Sequence, residues 1–181
     1  LYSVPIDGGS STRLNAALTG NNAHVESFAI SPDGRWAVYR AGDASTQEYN
    51  LFGVGVEGGP AARLNNPPAG DNHMIFDYII SPDSSVVVYR SGPELYELHN
   101  LYSVPVQGGA VLQLNGKLVE GGTVLFDSFR IDPSGGRVIY IADQITLGRN
   151  ELFASFGNTL LAQPPTPTAT HARRRTTGGR P

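Results

Sequence analysis

The chain has 181 residues, a formal net charge of −3 and no cysteine, and only 16% of its residues are charged. Its 22 glycines and 13 prolines make it rich in turns, which favours β-structure over helices. Without cysteine there is no disulfide framework and no thiolate chemistry, and no apolar run approaches the roughly 18 residues of a membrane span. Four arginines lie near the carboxyl end, Arg173, Arg174, Arg175 and Arg180. The rest of the chain is acidic, which argues against nucleic-acid binding.

One stretch of nine residues occurs three times at intervals of 50 residues. It reads Leu-Tyr-Ser-Val-Pro-Ile-Asp-Gly-Gly from Leu1, and similar stretches start at Leu51 and Leu101. A repeat of this length predicts a solenoid, a propeller or an array of small units. Each copy is followed by a Leu-Asn pair, at Leu14-Asn15, Leu64-Asn65 and Leu114-Asn115.

Each repeat predicts four short strands, here called a to d. The first complete set lies at 24–30, 36–39, 51–56 and 62–64. The Ser-Pro-Asp-Gly sequence from Ser31 suits a tight turn between strands a and b, and a polar loop is predicted at 42–49. Gly58-Gly59 turns the chain between strands c and d. The unit is therefore predicted to be a four-stranded antiparallel meander.

The pattern recurs along the rest of the chain, with strands predicted at 75–80, 86–89, 101–106, 111–114, 124–131 and 137–141. A further copy of strand c begins at Glu151 and then breaks off. Because proline cannot donate a backbone hydrogen bond, Pro5 and Pro105 inside strand c predict a β-bulge. Residues 1–157 are predicted to form the folded part, and residues 158–181, rich in Pro, Thr and Arg, a disordered tail.

Two motifs carry a family resemblance: Ser-Pro-Asp-Gly before a hydrophobic strand that ends in Tyr, and Asn-Leu-Tyr-Ser-Val-Pro-x-x-Gly-Gly. Together they resemble the repeat of TolB-like β-propellers, relatives of the WD-type propellers, over residues 1–157. The resemblance implies an all-β fold of four-stranded antiparallel blades, with strand a lining a central channel and strand d outermost. Two turns depart from the motif, because the second ends in Ser84 and the third reads Asp-Pro-Ser-Gly.

The strands amount to three blades, whereas propellers usually have roughly four to eight. An open half-ring would expose unpaired strand edges and an apolar face. We therefore predict a six-bladed homodimer of two three-bladed chains. In this dimer, residues 1–15 of one chain complete the strands at 124–141 of the other by strand exchange, and the strand at 152–156 is displaced. The alternative is a fragment, or a processed product, of a longer propeller.

In such a meander the d-to-a and b-to-c loops share one face, called the loop face. Ligand sites favour places where several loops converge. The loop face gathers four candidate metal ligands, His24, His73, His99 and Asp71. Such groups bind divalent metals such as zinc or calcium, and a metal with an open position activates water. The alternative is that they are ordinary polar loop residues, and no catalytic residue is assigned.

Three further sets of residues are predicted to be structural. The acids of strand a are predicted to bind a neighbouring blade, the asparagines before strand c to hold loop backbone, and the repeated tyrosines to pack between blades. These sets are Asp77 and Asp127; Asn50, Asn100 and Asn150; and Tyr39, Tyr89 and Tyr140.

The sequence supports the scaffold more strongly than any activity. The first hypothesis is a binding or assembly scaffold that closes by homodimerisation and takes a small-molecule or peptide ligand at the channel mouth. The alternative is a divalent-metal-dependent hydrolase of esters, lactones or phosphotriesters, as a resemblance to six-bladed propeller hydrolases such as paraoxonases implies. A weaker alternative is the gating propeller of a peptidase. No nucleic-acid or membrane partner is predicted, and an exported location, periplasmic or extracellular, is one alternative to the cytosol.

Overall fold

The computed structural model describes residues 1–46, 48–65, 73–93 and 98–156. In these residues thirteen strands form one two-stranded pair and three antiparallel sheets, which confirms the predicted all-β fold. No helix in the described ranges is long and apolar enough to cross a membrane.

The first pair contains β1 (Tyr2–Ser3) and β2 (Thr12–Arg13). Sheet I contains β3 (Ala23–Ile30), β4 (Trp36–Asp43), β5 (Glu48–Gly55) and β6 (Ala62–Arg63). Sheet II contains β7 (His73–Ile80), β8 (Val86–Pro93), β9 (Asn100–Pro105) and β10 (Leu112–Gln113). Sheet III contains β11 (Val124–Ile131), β12 (Arg137–Ala142) and β13 (Glu151–Phe156).

Neighbouring strands in each sheet follow chain order, so each sheet is an antiparallel meander as predicted. In sheet I strands b and c are longer than expected, and half of the loop predicted at 42–49 belongs to β4 and β5. Gly42 and Gly92 permit this extension. A Cβ on Gly42 would lie 1.9 Å from the carbonyl oxygen of Glu48, and one on Gly92 would lie 2.3 Å from that of Leu98. Any side chain at this position would force strands b and c apart.

The β-bulges lie in strand a, where β3 and β7 change register against β4 and β8. The bulge predicted in strand c is wrong, because Pro105 is the last residue of β9 and lies opposite Val86 in regular register. Pro5 lies beyond the end of β1. The missing N–H of proline is tolerated at a strand end. There, the proline carbonyl oxygen accepts a hydrogen bond from Gly8 or Gly108 and begins the Gly-Gly turn.

The Ser-Pro-Asp-Gly turns are fixed by their own side chains. Ser31 Oγ donates a hydrogen bond to Asp33 Oδ1 (2.5 Å) and accepts one from the Trp36 N–H (2.9 Å). The bond from the Ser31 hydroxyl holds the pKa of the Asp33 carboxyl below its ordinary value. In sheet II, Ser84 takes the left-handed position (φ 63°), and its Oγ accepts a hydrogen bond from the Asp33 N–H (3.0 Å). The departure from the motif at Ser84 therefore links the turns of sheets I and II.

Three apolar clusters join the first pair to sheet I, sheet I to sheet II, and sheet II to sheet III. The repeated tyrosines belong to these clusters and are at most 2% exposed, so their predicted packing role is confirmed. Burying one such side chain contributes about 1.5–3 kcal/mol. Each tyrosine stacks on an aromatic ring of strand c: Tyr39 on Phe52 (5.2 Å between centroids), Tyr89 on Tyr102 (5.5 Å) and Tyr140 on Phe153 (5.6 Å).

The asparagine of each Leu-Asn pair fastens strand d to strand c. Asn50 and Asn100, predicted to hold loop backbone, instead accept hydrogen bonds from the side-chain amides of Asn65 (3.0 Å) and Asn115 (2.8 Å). In every copy the Oδ1 of the pair's asparagine accepts a hydrogen bond from the backbone nitrogen that starts the repeat: Asn15 from Leu1 (2.6 Å), Asn65 from Leu51 (3.0 Å) and Asn115 from Leu101 (2.7 Å).

Replacing Asn115 with alanine is expected to lower the free energy of unfolding by about 1–3 kcal/mol, because the buried N–H of Leu101 loses its acceptor. Equilibrium urea unfolding measures the loss. The control is Gln113→Ala, since the Gln113 amide binds Asn100 at the surface (3.2 Å), and we expect a loss below about 0.5 kcal/mol. Equal losses in the two variants would contradict the role given to Asn115.

Candidate functional site at the loop face

An exposed histidine and a carboxylate lie on the loop face of sheet I. Because a carbonyl oxygen only accepts, His24 Nδ1 donates its hydrogen bond to the Asn22 carbonyl oxygen (2.9 Å), and Nε2 is the acceptor nitrogen of the neutral ring. The ring edge meets Tyr49, with 5.8 Å between centroids. Nearby, Asp43 accepts hydrogen bonds from the Ser45 hydroxyl (2.6 Å) and N–H (2.8 Å), which hold the pKa of Asp43 below its ordinary value. These groups can accept hydrogen bonds from a ligand.

A buried polar network connects sheets II and III, with Arg90 at its centre. Arg90 Nε donates to Asp77 Oδ1 (2.7 Å), and one terminal nitrogen donates to His99 Nδ1 (2.8 Å) and to the Val124 carbonyl oxygen (3.4 Å). Arg90 is 4% exposed and His99 6%. Asp77 Oδ2 accepts a hydrogen bond from the Asp127 N–H on β11 (2.9 Å). Asp77 therefore binds the neighbouring blade, as predicted.

His99 is held in its neutral form by this network. Because a guanidinium only donates, His99 Nδ1 accepts the bond from Arg90, and the ring proton is on Nε2. Burial, and then the charge of Arg90, lowers the pKa of His99 from 6.5 to about 4. The ring packs on Phe76 (4.1 Å between centroids), and within the described residues its Nε2 has no hydrogen-bond partner. A metal could bind Nδ1 only after Arg90 had moved away.

Arg40, placed 50 residues before Arg90, makes the equivalent connection between sheets I and II. It forms an ion pair with Glu26, and one terminal nitrogen donates to the carbonyl oxygens of Ile75 (2.6 Å) and Phe76 (3.1 Å). Sequence reasoning did not single out these arginines, although both follow a repeated tyrosine at the same spacing. In sheet III the residue after that tyrosine is Ile141.

The predicted metal ligands occupy different surroundings. His24 is exposed on sheet I, and His99 is buried against Arg90. The backbone of His73 pairs with Pro93 at the start of β7, whereas its side chain, Asp71 and the predicted tail at 158–181 lie outside the described residues. In the part of the chain that the structure describes, no three His, Cys, Asp or Glu side chains form a metal-binding group. The zinc or calcium site, and the hydrolase activity that needs it, stay predictions.

Two shallow clefts open between sheets on the side of the Ser-Pro-Asp-Gly and Gly-Gly turns. The first, of about 340 Å³, contains Trp36 among small residues such as Gly55 and Ala62 and lies between sheets I and II. The second, of about 380 Å³, lies between sheets II and III and includes Ile131 and Val138. Both clefts follow the seam between neighbouring sheets.

No protein-family model and no curated protein matches the sequence. Among solved structures, TolB from Acinetobacter baumannii is similar with a TM-score of 0.52 and 16% identity, over 86% of this chain and 34% of that one. A structure from a study of two prolyl endopeptidases has a TM-score of 0.56 and 11% identity, over 83% of this chain and 23% of that one. An oligogalacturonate lyase in complex with manganese has a TM-score of 0.51 and 15% identity, over 86% of this chain and 40% of that one.

This chain spans less than half the length of each of these proteins. At such low identities the likeness concerns the fold alone. The order of the sheets, the repeated turns and the structural similarity all indicate the same fold. The chain therefore has the fold of TolB-like β-propellers, with strands for about three blades.

Proposed function

We propose that this chain is a binding and assembly scaffold that closes into a six-sheet β-propeller with a second copy of itself. The observation that supports this most directly is that two sheet faces expose apolar residues whose repeat equivalents pack between sheets. Propellers close with roughly four to eight blades, and the described strands supply about three. Two copies related by a two-fold axis supply six.

The first of these faces, called the entry face, is formed by Phe28 and Ile30 on β3. Each is 58% exposed. Their equivalents in sheet II, Tyr78 and Ile80, pack against the apolar cluster between sheets I and II. Within the described ranges, no sheet covers Phe28 and Ile30 as sheet I covers Tyr78 and Ile80.

The second face, called the exit face, is formed by Ile139 (40% exposed) and Leu152 (70% exposed) on sheet III. In sheet II, Val88 and Leu101 occupy the same register positions and are 1% and 0% exposed. Those residues are buried because sheet III covers them. The exit face of one copy is thus the natural covering surface for the entry face of another, and each side chain buried there contributes about 1.5–3 kcal/mol.

Ring closure would bring the loop faces of six sheets around one channel mouth. Such convergence of loops is where ligands bind most often, so we place the small-molecule or peptide ligand of the scaffold there. The exposed His24 and the half-buried Asp43 offer polar groups on that face. An exported location, periplasmic or extracellular, is a further part of the proposal, and a chain without cysteine is compatible with it.

Exchanging Ile139 for aspartate is expected to keep the chain monomeric, because an isolated carboxylate in a buried contact costs several kcal/mol. Sedimentation velocity measures the result, and the unchanged chain is expected to have twice its mass of 19.3 kDa. Ile145→Asp is the matched control, since Ile145 is 55% exposed in the loop after β12 and stays outside the contact. A monomeric unchanged chain, or an Ile139→Asp dimer as stable as the control, would overturn the proposal.

A further inference from the structure

Among the described residues the first pair consists of strands c and d alone. Asn15 Oδ1 accepts a hydrogen bond from the backbone nitrogen of Leu1 (2.6 Å). Asn65 and Asn115 accept the equivalent bonds in sheets I and II. Leu14 is 5% exposed and belongs to the apolar cluster under sheet I. Among the described strands β1 pairs with β2 alone, so its other edge faces no strand. The pair therefore packs on sheet I, and no described strand b pairs with it.

Sheet III has the complementary gap. It contains strands a, b and c, and no strand d occurs in it among the described residues. β13 fills the position of strand c and pairs with β12 at six residues, from Arg137 opposite Phe156 to Ala142 opposite Glu151. The displaced strand of the predicted exchange is thus seated on β12 in the single chain.

The residues of β1 match the strand position that β13 occupies. By the repeat spacing of 50, Tyr2 is equivalent to Phe52 and Tyr102, which stack on the tyrosine of their own strand b. In sheet III, Phe153 makes this contact with Tyr140. Tyr2, in contrast, is 65% exposed. The equivalent position of the Tyr2 ring, and its aromatic character, would allow it to stack on Tyr140 of a second copy.

The residues that follow Tyr2 show the same contrast. Val4 and Ile6 are 60% and 106% exposed. Their equivalents in the second repeat, Val104 and Val106, are each 2% exposed in the cluster between sheets I and II. The segment from Tyr2 to Ile6 therefore has the apolar pattern of a buried strand c, but its apolar side chains Tyr2, Val4 and Ile6 are exposed.

We infer that the β12 edge is an interaction surface for the first pair of a second copy. This inference rests on the proposed function and specifies which strands of the two copies are in contact. β1 of the second copy displaces β13, so Leu1 of the second copy takes the position of Leu152 in the exit face. β2 then adds the missing strand d. The backbone hydrogen bonds between β12 and β13 are replaced by bonds between β12 and β1, so the free energies of the two sets nearly cancel. The gain is strand d, the buried segment Tyr2 to Ile6 and the covered entry face. In the single chain, β13 shields the edge from uncontrolled pairing.

Cysteine pairs can report which strand lies beside β12, because the chain has no cysteine of its own. Val88 lies opposite Ser103 in sheet II, so after exchange Ile139 would lie opposite Ser3 of the second copy. Ser3→Cys combined with Ile139→Cys is expected to give a disulfide-linked dimer on mild oxidation, since paired strands suit the roughly 4.4–6.8 Å between Cα atoms that disulfides need. Each single variant is expected to give at least tenfold less disulfide-linked dimer than the double variant.

A second cysteine pair locks β13 in place. Ile139 lies opposite Ala154 in the present register, so Ile139→Cys with Ala154→Cys, refolded at low concentration and oxidised, ties β13 to β12. The oxidised chain is expected to stay monomeric and to dimerise after reduction. A dimer that forms with β13 locked would overturn the exchange and leave the proposed assembly standing. Monomers in both states, together with a monomeric unchanged chain, would overturn both.

Discussion

Replacing Arg90 with leucine is expected to lower the free energy of unfolding by about 3–5 kcal/mol, because one partner of a buried ion pair is lost. The Asp77 side chain is only 17% exposed and would keep an uncompensated charge. His99 Nδ1 and the Val124 carbonyl oxygen would also lose their donor. Since domains are stable by only about 5–15 kcal/mol, the variant is expected to have a strongly lowered midpoint in urea unfolding followed by circular dichroism.

Two variants separate this effect from a general loss of charge. Arg130→Leu removes an ion pair to Asp127 in which the side chains are 66% and 70% exposed, and we expect a loss below about 1 kcal/mol. Adding Asp77→Asn to Arg90→Leu is expected to restore part of the stability. Asparagine removes the buried charge and keeps an acceptor for the Asp127 N–H. Equal losses in Arg90→Leu and Arg130→Leu would contradict the structural role of the network.

Stability is expected to fall by about 3 kcal/mol between pH 7 and pH 4 through His99 alone. The pKa of His99 is about 4 in the folded chain, against an ordinary value of 6.5. Between these values the unfolded chain binds a proton that the folded chain does not bind. The contribution is therefore complete above pH 6.5 and is lost as the pH falls towards 4. Urea unfolding at steps of one pH unit measures it.

His99→Gln is the variant that should abolish this dependence, whereas His24→Gln, which removes an exposed histidine, should retain it. The carboxylates of the Ser-Pro-Asp turns affect stability at lower pH than His99 does. Hydrogen bonds from the hydroxyls of Ser31 and Ser81 lower the pKa of Asp33 and Asp83, so their contribution is lost only as the pH falls below the ordinary value of 3.8. A His99→Gln variant with an undiminished slope between pH 6.5 and pH 4 would contradict the assignment.

The repeat made the sheets predictable, because each strand, turn and Leu-Asn pair returns at a fixed spacing. The packing role of Tyr39 and the turn role of Asp33 followed from residue type alone. Strand ends were harder to predict. Polar residues such as Asp43 and Glu48 continue β4 and β5, because backbone pairing across the sheet continues where the side chains are no longer apolar.

The arginine contacts could not be predicted from spacing alone. Arg40 and Arg90 recur at equivalent positions, but their acceptors are the carbonyl oxygens of Ile75 and Val124 on the next sheet. Bulges in strand a lie beside both acceptors, and no residue type marks those bulges. His99 was recognised as a loop-face residue, whereas its burial depends on contacts such as Phe76 that come from another strand.

Native mass spectrometry of the unchanged chain over a range of concentrations tests most directly whether two copies close one ring. We expect a species of twice the chain mass of 19.3 kDa, with no larger oligomers as the concentration rises, because a closed ring leaves no sheet face uncovered. A single chain at all concentrations would contradict closure by a second copy, and an open series of growing oligomers would contradict the two-fold ring.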